Sequence, residues 1–85
     1  MFYVYLLRSK KDNKLYIGFT NDLRRRLQEH NLGLNKSTRP RRPLELLYYE
    51  AYRACDDAKR REKNIKLFGR ALGGLKRRIS SSIGS

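Results

Sequence analysis

The sequence predicts an α+β fold: a three-stranded antiparallel sheet flanked by helices, in the order β-β-α-β-α-α. Residues 2–7 are aromatic or aliphatic, and residues 15–19 alternate apolar and other side chains, as strands do. Two later stretches place apolar residues three to four apart behind capping residues, as helices do. A short basic helix is predicted around residues 76–78. We expect a single domain over residues 1–79 and a disordered Ser/Gly-rich tail over residues 80–85.

The first two strands are predicted to form a hairpin. Asp12 and Asn13 lie in the polar segment between them and are typical of a turn. An antiparallel pairing of residues 2–8 with 14–20 allows Tyr5 and Tyr16 to share a face of the sheet. Gly18 lies inside the second strand, where a glycine often marks a place that another group approaches closely.

The first helix carries two ionisable residues where apolar ones are expected. Residues 21–22 offer an N-cap, and Leu23 and Leu27 lie four apart on one face. At about 100° per residue, Arg26 and His30 fall on that same face. One interpretation places Arg26 at the edge with its charge in solvent and His30 complementing the helix dipole. The other places both residues in a polar site.

A loop over residues 32–42 joins this helix to a third strand, predicted over residues 44–52. The loop is rich in hydroxyl groups and cations but has almost nothing to bury. It can therefore be a solvated linker or a segment that contacts phosphates. In the second case the nucleic-acid-binding candidates are Gly18 of the hairpin and the loop residues Lys36, Thr38, Arg39 and Arg41.

The second helix has a misplaced charge of its own. Residues 56–57 can cap a helix that starts near Ala58, and Ile65 lies on the same face as Ala58. Glu62 also falls on that face. Glu62 can form a structural ion pair with Arg26, or the ionisable groups of both helices can converge on one functional site. Because both helices have to pack on one small sheet, their misplaced ionisable groups point to a shared polar site.

Composition and charge restrict the class of protein. Lys and Arg number 21 against eight Asp and Glu, a net charge of +13, which favours a polyanionic partner and above all nucleic acid. The cations are too dispersed for a membrane-surface helix. A single cysteine, Cys55, excludes an internal disulfide and a cysteine-based zinc site and is expected to be a buried thiol. No stretch resembles a membrane span or a signal peptide, so we expect a cytoplasmic protein without a membrane partner.

An ordered set of motifs connects these features. Tyr3-Val4-Tyr5 and Tyr16-Ile17-Gly18 lie on the two hairpin strands, Arg26 precedes His30 by four residues, and Glu62 follows on the second helix. In this the chain resembles the GIY-YIG nuclease superfamily, and most closely its small stand-alone bacterial members. The resemblance covers about residues 2–70. The family name has Gly where this chain has Tyr3.

The resemblance implies hydrolysis of a phosphodiester with one divalent metal ion, Mg²⁺ or Mn²⁺. It implies that Tyr5 and Tyr16 are the site tyrosines, Arg26 the phosphate clamp, His30 an auxiliary proton-transfer or hydrogen-bonding group, and Glu62 the metal ligand. These roles are chemically sound. The planar guanidinium of an arginine suits a phosphate, and a lone carboxylate suits Mg²⁺, which keeps several water ligands.

The resulting hypothesis is a metal-dependent endonuclease that nicks DNA of particular shapes, as in DNA repair, with specificity from DNA shape or from a partner protein. The alternative is a non-catalytic, basic nucleic-acid-binding module on the same fold. Two features motivate it: no Asn follows Asn64, where many family nucleases have one, and the chain shows no attached recognition domain. A third hypothesis is an interaction protein with an acidic partner.

Overall fold

A computed structural model of the protein describes residues 1–67 together with Gly74 and Arg77, both of which are helical. Most of the predicted basic helix and the whole predicted tail over residues 80–85 lie outside the described residues. The elements follow the predicted order through the second helix: β1 (Phe2–Ser9), β2 (Leu15–Thr20), α1 (Leu23–Asn31), a 3₁₀ turn (Arg39–Arg41), β3 (Leu44–Tyr52) and α2 (Cys55–Leu67). The predicted α+β architecture is confirmed. Over the described ranges, no helix has the length and apolar character to cross a membrane.

The sheet has the strand order β2-β1-β3, with both pairings antiparallel. The predicted hairpin turn is present, and Asn13 adopts a left-handed backbone with φ of 61°. In the β1–β2 register Tyr5 is opposite Gly18, and Leu7 is opposite Tyr16. Because directly paired residues point to the same side, Tyr5 and Tyr16 share a face as predicted. On its other side β1 places Tyr5 opposite Tyr49 of β3.

The two helices cover opposite faces of this sheet, and residues 4–7 of the central strand are therefore buried throughout. On one face α2 packs through Ala58 and Ile65 against Val4, Leu6 and Ile17. On the other face α1 packs through Leu23 and Leu27 around Tyr5, Leu7 and Leu44. The face of the sheet that carries Tyr5 and Tyr16 is therefore covered by α1. Side chains of α2 can approach these tyrosines only past an edge strand of the sheet.

The start of α1 is as predicted, and the start of α2 is not. The Asp22 carboxylate accepts a hydrogen bond from the Arg25 backbone N–H at 3.1 Å and caps α1. The predicted start of the second helix near Ala58 is wrong, because α2 begins three residues earlier at Cys55. Residues 56–57 therefore lie in its first turn, where their charges favour the positive end of the helix dipole. The buried thiol predicted for Cys55 is also wrong, since its side chain is partly exposed.

A carboxylate on β3 fixes the orientation of α2. Glu50 accepts hydrogen bonds from the hydroxyls of Tyr48 at 2.8 Å and Tyr52 at 2.6 Å. It also accepts two from Arg61 of α2, at 2.9 and 3.1 Å. Burial acts to raise the pKa of Glu50, but the hydrogen bonds from Arg61 and the two tyrosines outweigh it and hold that pKa below its usual range. Glu50 therefore holds one side of α2 against β3.

Candidate active site

The ring of Tyr5 lies across the backbone of Gly18 on the neighbouring strand. A Cβ built on Gly18 would stand 2.2 Å from both Cζ and Oη of Tyr5, so no other residue fits at this position without displacing the ring. The sequence predicts that nucleic acid approaches Gly18, whereas the structure shows that the approaching group is the protein's own tyrosine. Because of this glycine, the Tyr5 hydroxyl can extend over β2, the edge strand of the sheet.

A buried chain of hydrogen bonds runs from Tyr5 through His30 to Thr38. The Tyr5 Oη lies 2.9 Å from Nε2 of His30, and Nδ1 of His30 lies 2.7 Å from Oγ1 of Thr38. His30 and Thr38 have no exposed surface, and Tyr5 is 2% exposed. The ring of Tyr16 meets the imidazole edge to face, with centroids 5.3 Å apart. His30 is therefore held at both ring nitrogens and enclosed by two tyrosines.

Thr38 is buried rather than at the surface, where a contact with nucleic acid would require it to be. The sequence predicts that its hydroxyl contacts nucleic acid, but a side chain without exposed surface cannot do so. Its hydroxyl instead fixes the imidazole of His30 from behind. The sequence gives no signal for this contact, because it joins a helix to an irregular loop eight residues further on.

The other predicted loop contacts remain at the surface or close to it. Lys36 and Arg39 are exposed, and Arg39 Nε donates a hydrogen bond to the Gly33 carbonyl at 2.7 Å. Arg41 is partly buried, and its Nε lies 4.0 Å from an Asp12 carboxylate oxygen. These contacts order the loop beside the buried chain. Binding of nucleic acid by Lys36, Arg39 and Arg41 stays a prediction.

Arg26 presents a buried nitrogen to the same region. Its Nε lies 3.2 Å from Oε1 of Glu29, but the geometry is not that of a hydrogen bond. Among the buried side-chain nitrogens and oxygens of the described residues, it is the one without a hydrogen-bond partner. Arg26 and Glu29 line a cavity of about 270 Å³ together with Leu34 and Asn35. The Glu29 carboxylate therefore compensates the charge of Arg26 in this structure, although the geometry leaves the buried Nε without a hydrogen bond.

Glu62 reaches the β2 side of the molecule although α2 covers the opposite face. Arg61 is bound to Glu50 on β3, and Nζ of Lys59 lies 5.8 Å from the Phe19 ring centroid on β2. At about 100° per residue these two contacts orient α2 so that Glu62 faces toward β2. Its Oε2 lies 3.2 Å from Nζ of Lys66. The ion pair between Glu62 and Arg26 that the sequence allowed is therefore not formed.

The pKa values of Tyr5 and His30 move in opposite directions. Burial is the largest cause that raises the pKa of Tyr5, followed by the neighbouring Tyr16; the charge of Glu62 adds to the rise, and Arg26 opposes it. Burial also lowers the pKa of His30, and the charge of Arg26 lowers it further. At neutral pH the resting site thus holds a protonated phenol against an uncharged imidazole.

The donor set fits one kind of metal ion. No group of three or more His, Cys, Asp or Glu side chains suited to a metal occurs in residues 1–67 or at the two further described positions. A closed zinc site needs several such ligands, whereas Mg²⁺ accepts one or two carboxylates and completes its shell with water and phosphate oxygens. The partly exposed Glu62 carboxylate fits the second case.

Comparison with known proteins identifies the class. Residues 1–78 match the family model of the GIY-YIG catalytic domain. The chain therefore belongs to the GIY-YIG family, a superfamily of nucleases, and the resemblance found in the motifs is confirmed.

Relatives within that class include UPF0213 proteins. One from Staphylococcus haemolyticus is 44% identical over 69 residues, which cover 80% of this chain and 83% of the relative. One from Clostridium perfringens is 45% identical over 67 residues, covering 78% and 71% of the two chains. The solution NMR structure of a UPF0213 protein from Bacillus halodurans is similar with a TM-score of 0.54 at 35% identity, covering 89% of this chain and 86% of the other.

Proposed function

We propose that this protein is a divalent-metal-dependent endonuclease that hydrolyses DNA phosphodiester bonds and nicks DNA of particular shapes. The observation that carries the proposal is the buried Tyr5–His30–Thr38 chain. It lies within reach of the charges of Arg26 and Glu62, which both act on the pKa of Tyr5. Membership of a nuclease superfamily supports the same conclusion.

The chain of hydrogen bonds can carry a proton away from an attacking water. In one tautomer Nδ1–H of His30 donates to Thr38, which leaves Nε2 free to accept. The Tyr5 hydroxyl then gives its proton to Nε2 while its oxygen takes a proton from the water. The product is a hydroxide beside a neutral phenol and a charged imidazolium. His30 suits this role because its lowered pKa keeps it uncharged at neutral pH.

Arg26 is proposed to hold the phosphate that is attacked. Its buried Nε and the neighbouring N–H groups form a planar set of donors that matches two phosphate oxygens. A fixed positive charge at this point also stabilises the extra negative charge that develops on the phosphorus oxygens. Glu29 pairs with Arg26 in this structure, so a bound phosphate would have to displace that carboxylate.

Glu62 is proposed to bind one Mg²⁺ or Mn²⁺. When bound, the ion supplies charge that stabilises the leaving oxygen of the cleaved bond. Lys66 contacts the same carboxylate in this structure and would have to move aside.

The charge of the whole chain supports DNA as the partner. A net charge of +13 favours a polyanion, and we propose that Lys36, Arg39 and Arg41 contact phosphates on either side of the cleaved bond. The proposed setting is the cytoplasm, in DNA repair, with a partner protein able to supply further specificity.

The test is Mg²⁺-dependent nicking of plasmid and branched DNA by the full chain. We expect Glu62→Ala to reduce nicking about 100-fold or more, because the metal loses its protein ligand. Asp57→Ala is the matched control, since it removes an acidic residue from the same helix at an exposed position. Its nicking rate should equal that of the wild type.

Two outcomes would contradict the proposal. In one, Glu62→Ala nicks DNA as fast as Asp57→Ala. In the other, the wild type binds DNA without a metal requirement and cuts nothing in Mg²⁺ or Mn²⁺, which is the behaviour of a non-catalytic binding module.

A further inference from the structure

An open groove of about 470 Å³ lies between α1 and β3, apart from the Tyr5–His30–Thr38 chain. Its walls are apolar: Leu23 and Leu27 come from α1, and Leu46 comes from β3. These leucines are only partly buried. A groove of this size and apolar lining is within the range of sites that bind small organic groups.

Two tyrosines give the groove an aromatic surface. Tyr49 is 51% exposed. Its ring packs edge to face against Tyr3, with centroids 6.0 Å apart, so its position is fixed although it is exposed. In the β1–β3 register Tyr49 is directly opposite Tyr5. Tyr49 in the groove is therefore the direct neighbour, on the adjacent strand, of Tyr5 in the candidate active site.

The rim of the groove is polar and includes a cation. Asn21 and Asp22 precede α1, and the exposed Arg24 lies in its first turn. Amide side chains such as Asn21 hydrogen-bond to the edges of nucleobases, and arginines such as Arg24 also donate to phosphates, whereas Asp22 caps α1. The net charge of +13 attracts a nucleic acid strand and opposes the approach of a second copy of the same chain.

We propose that this groove binds an unpaired nucleobase of single-stranded DNA, stacked on Tyr49, with Arg24 contacting the adjacent phosphate. Exposed aromatic rings beside cations are the usual means by which proteins bind single strands. The proposal deepens the proposed function and rests on nucleic acid being the partner. It makes DNA with an unpaired nucleotide near the cleaved bond the preferred substrate class.

The test measures binding of the full chain to a labelled oligothymidylate at several salt concentrations, without a divalent metal. We expect Tyr49→Ala to weaken binding about 5- to 100-fold at every salt concentration, because a stacking contact is lost but no phosphate contact is. Tyr49→Phe keeps the ring and should bind like the wild type. Arg24→Ala should make the slope of log affinity against log salt shallower, by about the amount that one phosphate contact contributes.

A second oligonucleotide separates stacking from general attraction. An abasic strand of the same length has the same phosphates but no bases, so wild type and Tyr49→Ala should bind it equally well. The inference is overturned if Tyr49→Ala binds oligothymidylate as the wild type does, or if Tyr49 mediates self-association in sedimentation without DNA. If the wild type binds no DNA at all, the proposed function is overturned as well. If the wild type nicks DNA but Tyr49→Ala leaves its DNA affinity unchanged, this inference alone is overturned.

Discussion

His30 is a fully buried histidine with hydrogen bonds at both ring nitrogens. On the helical wheel it occupies a position that an aliphatic residue would normally fill. The interpretation of His30 as a residue that complements a helix dipole does not account for its contacts. Because Tyr5 and Thr38 occupy the two nitrogens from opposite sides, the ring is oriented for proton transfer along one line.

Thr38→Val tests the importance of the hydroxyl behind that ring. Valine has nearly the same shape but cannot hydrogen-bond, so Nδ1 of His30 would be buried without a partner. We expect a loss of about 1–3 kcal/mol in the free energy of unfolding, measured in urea, together with slower DNA nicking. Thr38→Ser retains the hydroxyl and should recover most of the nicking rate. A valine variant with unchanged stability and activity would contradict a positioning role for Thr38.

At the scale of elements, the sheet separates the two helices. Leu23 and Leu27 place α1 on the tyrosine face, whereas Ala58 and Ile65 place α2 on the other. Tyr5 extends over Gly18 toward the β2 edge, and the charge of Glu62 acts on the Tyr5 hydroxyl and helps to raise its pKa. The candidate site therefore lies beside an edge strand of the sheet, with Tyr5 and His30 buried beneath the surface.

The contact between β3 and α2 depends on Glu50. Glu50→Gln should lower the free energy of unfolding by about 2 kcal/mol, because it removes the charge that Arg61 and two tyrosine hydroxyls surround. Glu45→Gln is the control, since Glu45 also pairs with an arginine, Arg8, but on a more exposed part of the sheet. Its effect should stay below about 1 kcal/mol. Equal losses for the two variants in urea unfolding would contradict a specific role for Glu50.

Local patterns predicted the strands, the hairpin turn and the Asp22 cap, because each depends on residues close in sequence. They also singled out Arg26, His30 and Glu62 as ionisable residues on apolar faces. They could not predict that the helices lie on opposite faces, since the wheel of each helix is independent of the other. The start of α2 was misplaced because Asp is favourable both as an N-cap and in the first turn.

At the scale of the whole molecule, one histidine gives the stability a distinctive pH dependence. The pKa of His30 is lowered in the folded chain by burial and by Arg26, whereas in the unfolded chain it returns to about 6.5. As the pH falls below about 6.5, the unfolded chain binds a proton first, so stability declines until the folded pKa is reached. Urea unfolding between pH 7.5 and about 5 should show this decline. His30→Gln should remove it, and an equal decline in both proteins would contradict the assignment.

The net charge of +13 and the buried proton path act together in the proposed enzyme. Dispersed cations bring a polyanion to the surface over a wide range of orientations. Within the described residues, we assign the proposed chemistry to Tyr5, Arg26 and Glu62 alone. Binding should therefore be strongly salt-dependent and tolerant of single substitutions in the loop, whereas cleavage should depend on a few residues.

The central claim is that the Tyr5 hydroxyl transfers a proton during cleavage, and Tyr5→Phe tests it most directly. The ring still fits over Gly18, so the fold and DNA binding should be preserved, with a loss of about 1–3 kcal/mol in the free energy of unfolding because Nε2 of His30 loses its partner. Under single-turnover conditions with Mg²⁺ and saturating protein, we predict that the nicking rate falls about 100-fold or more while DNA affinity stays unchanged. A folded Tyr5→Phe variant that nicks DNA at the wild-type rate would contradict the account.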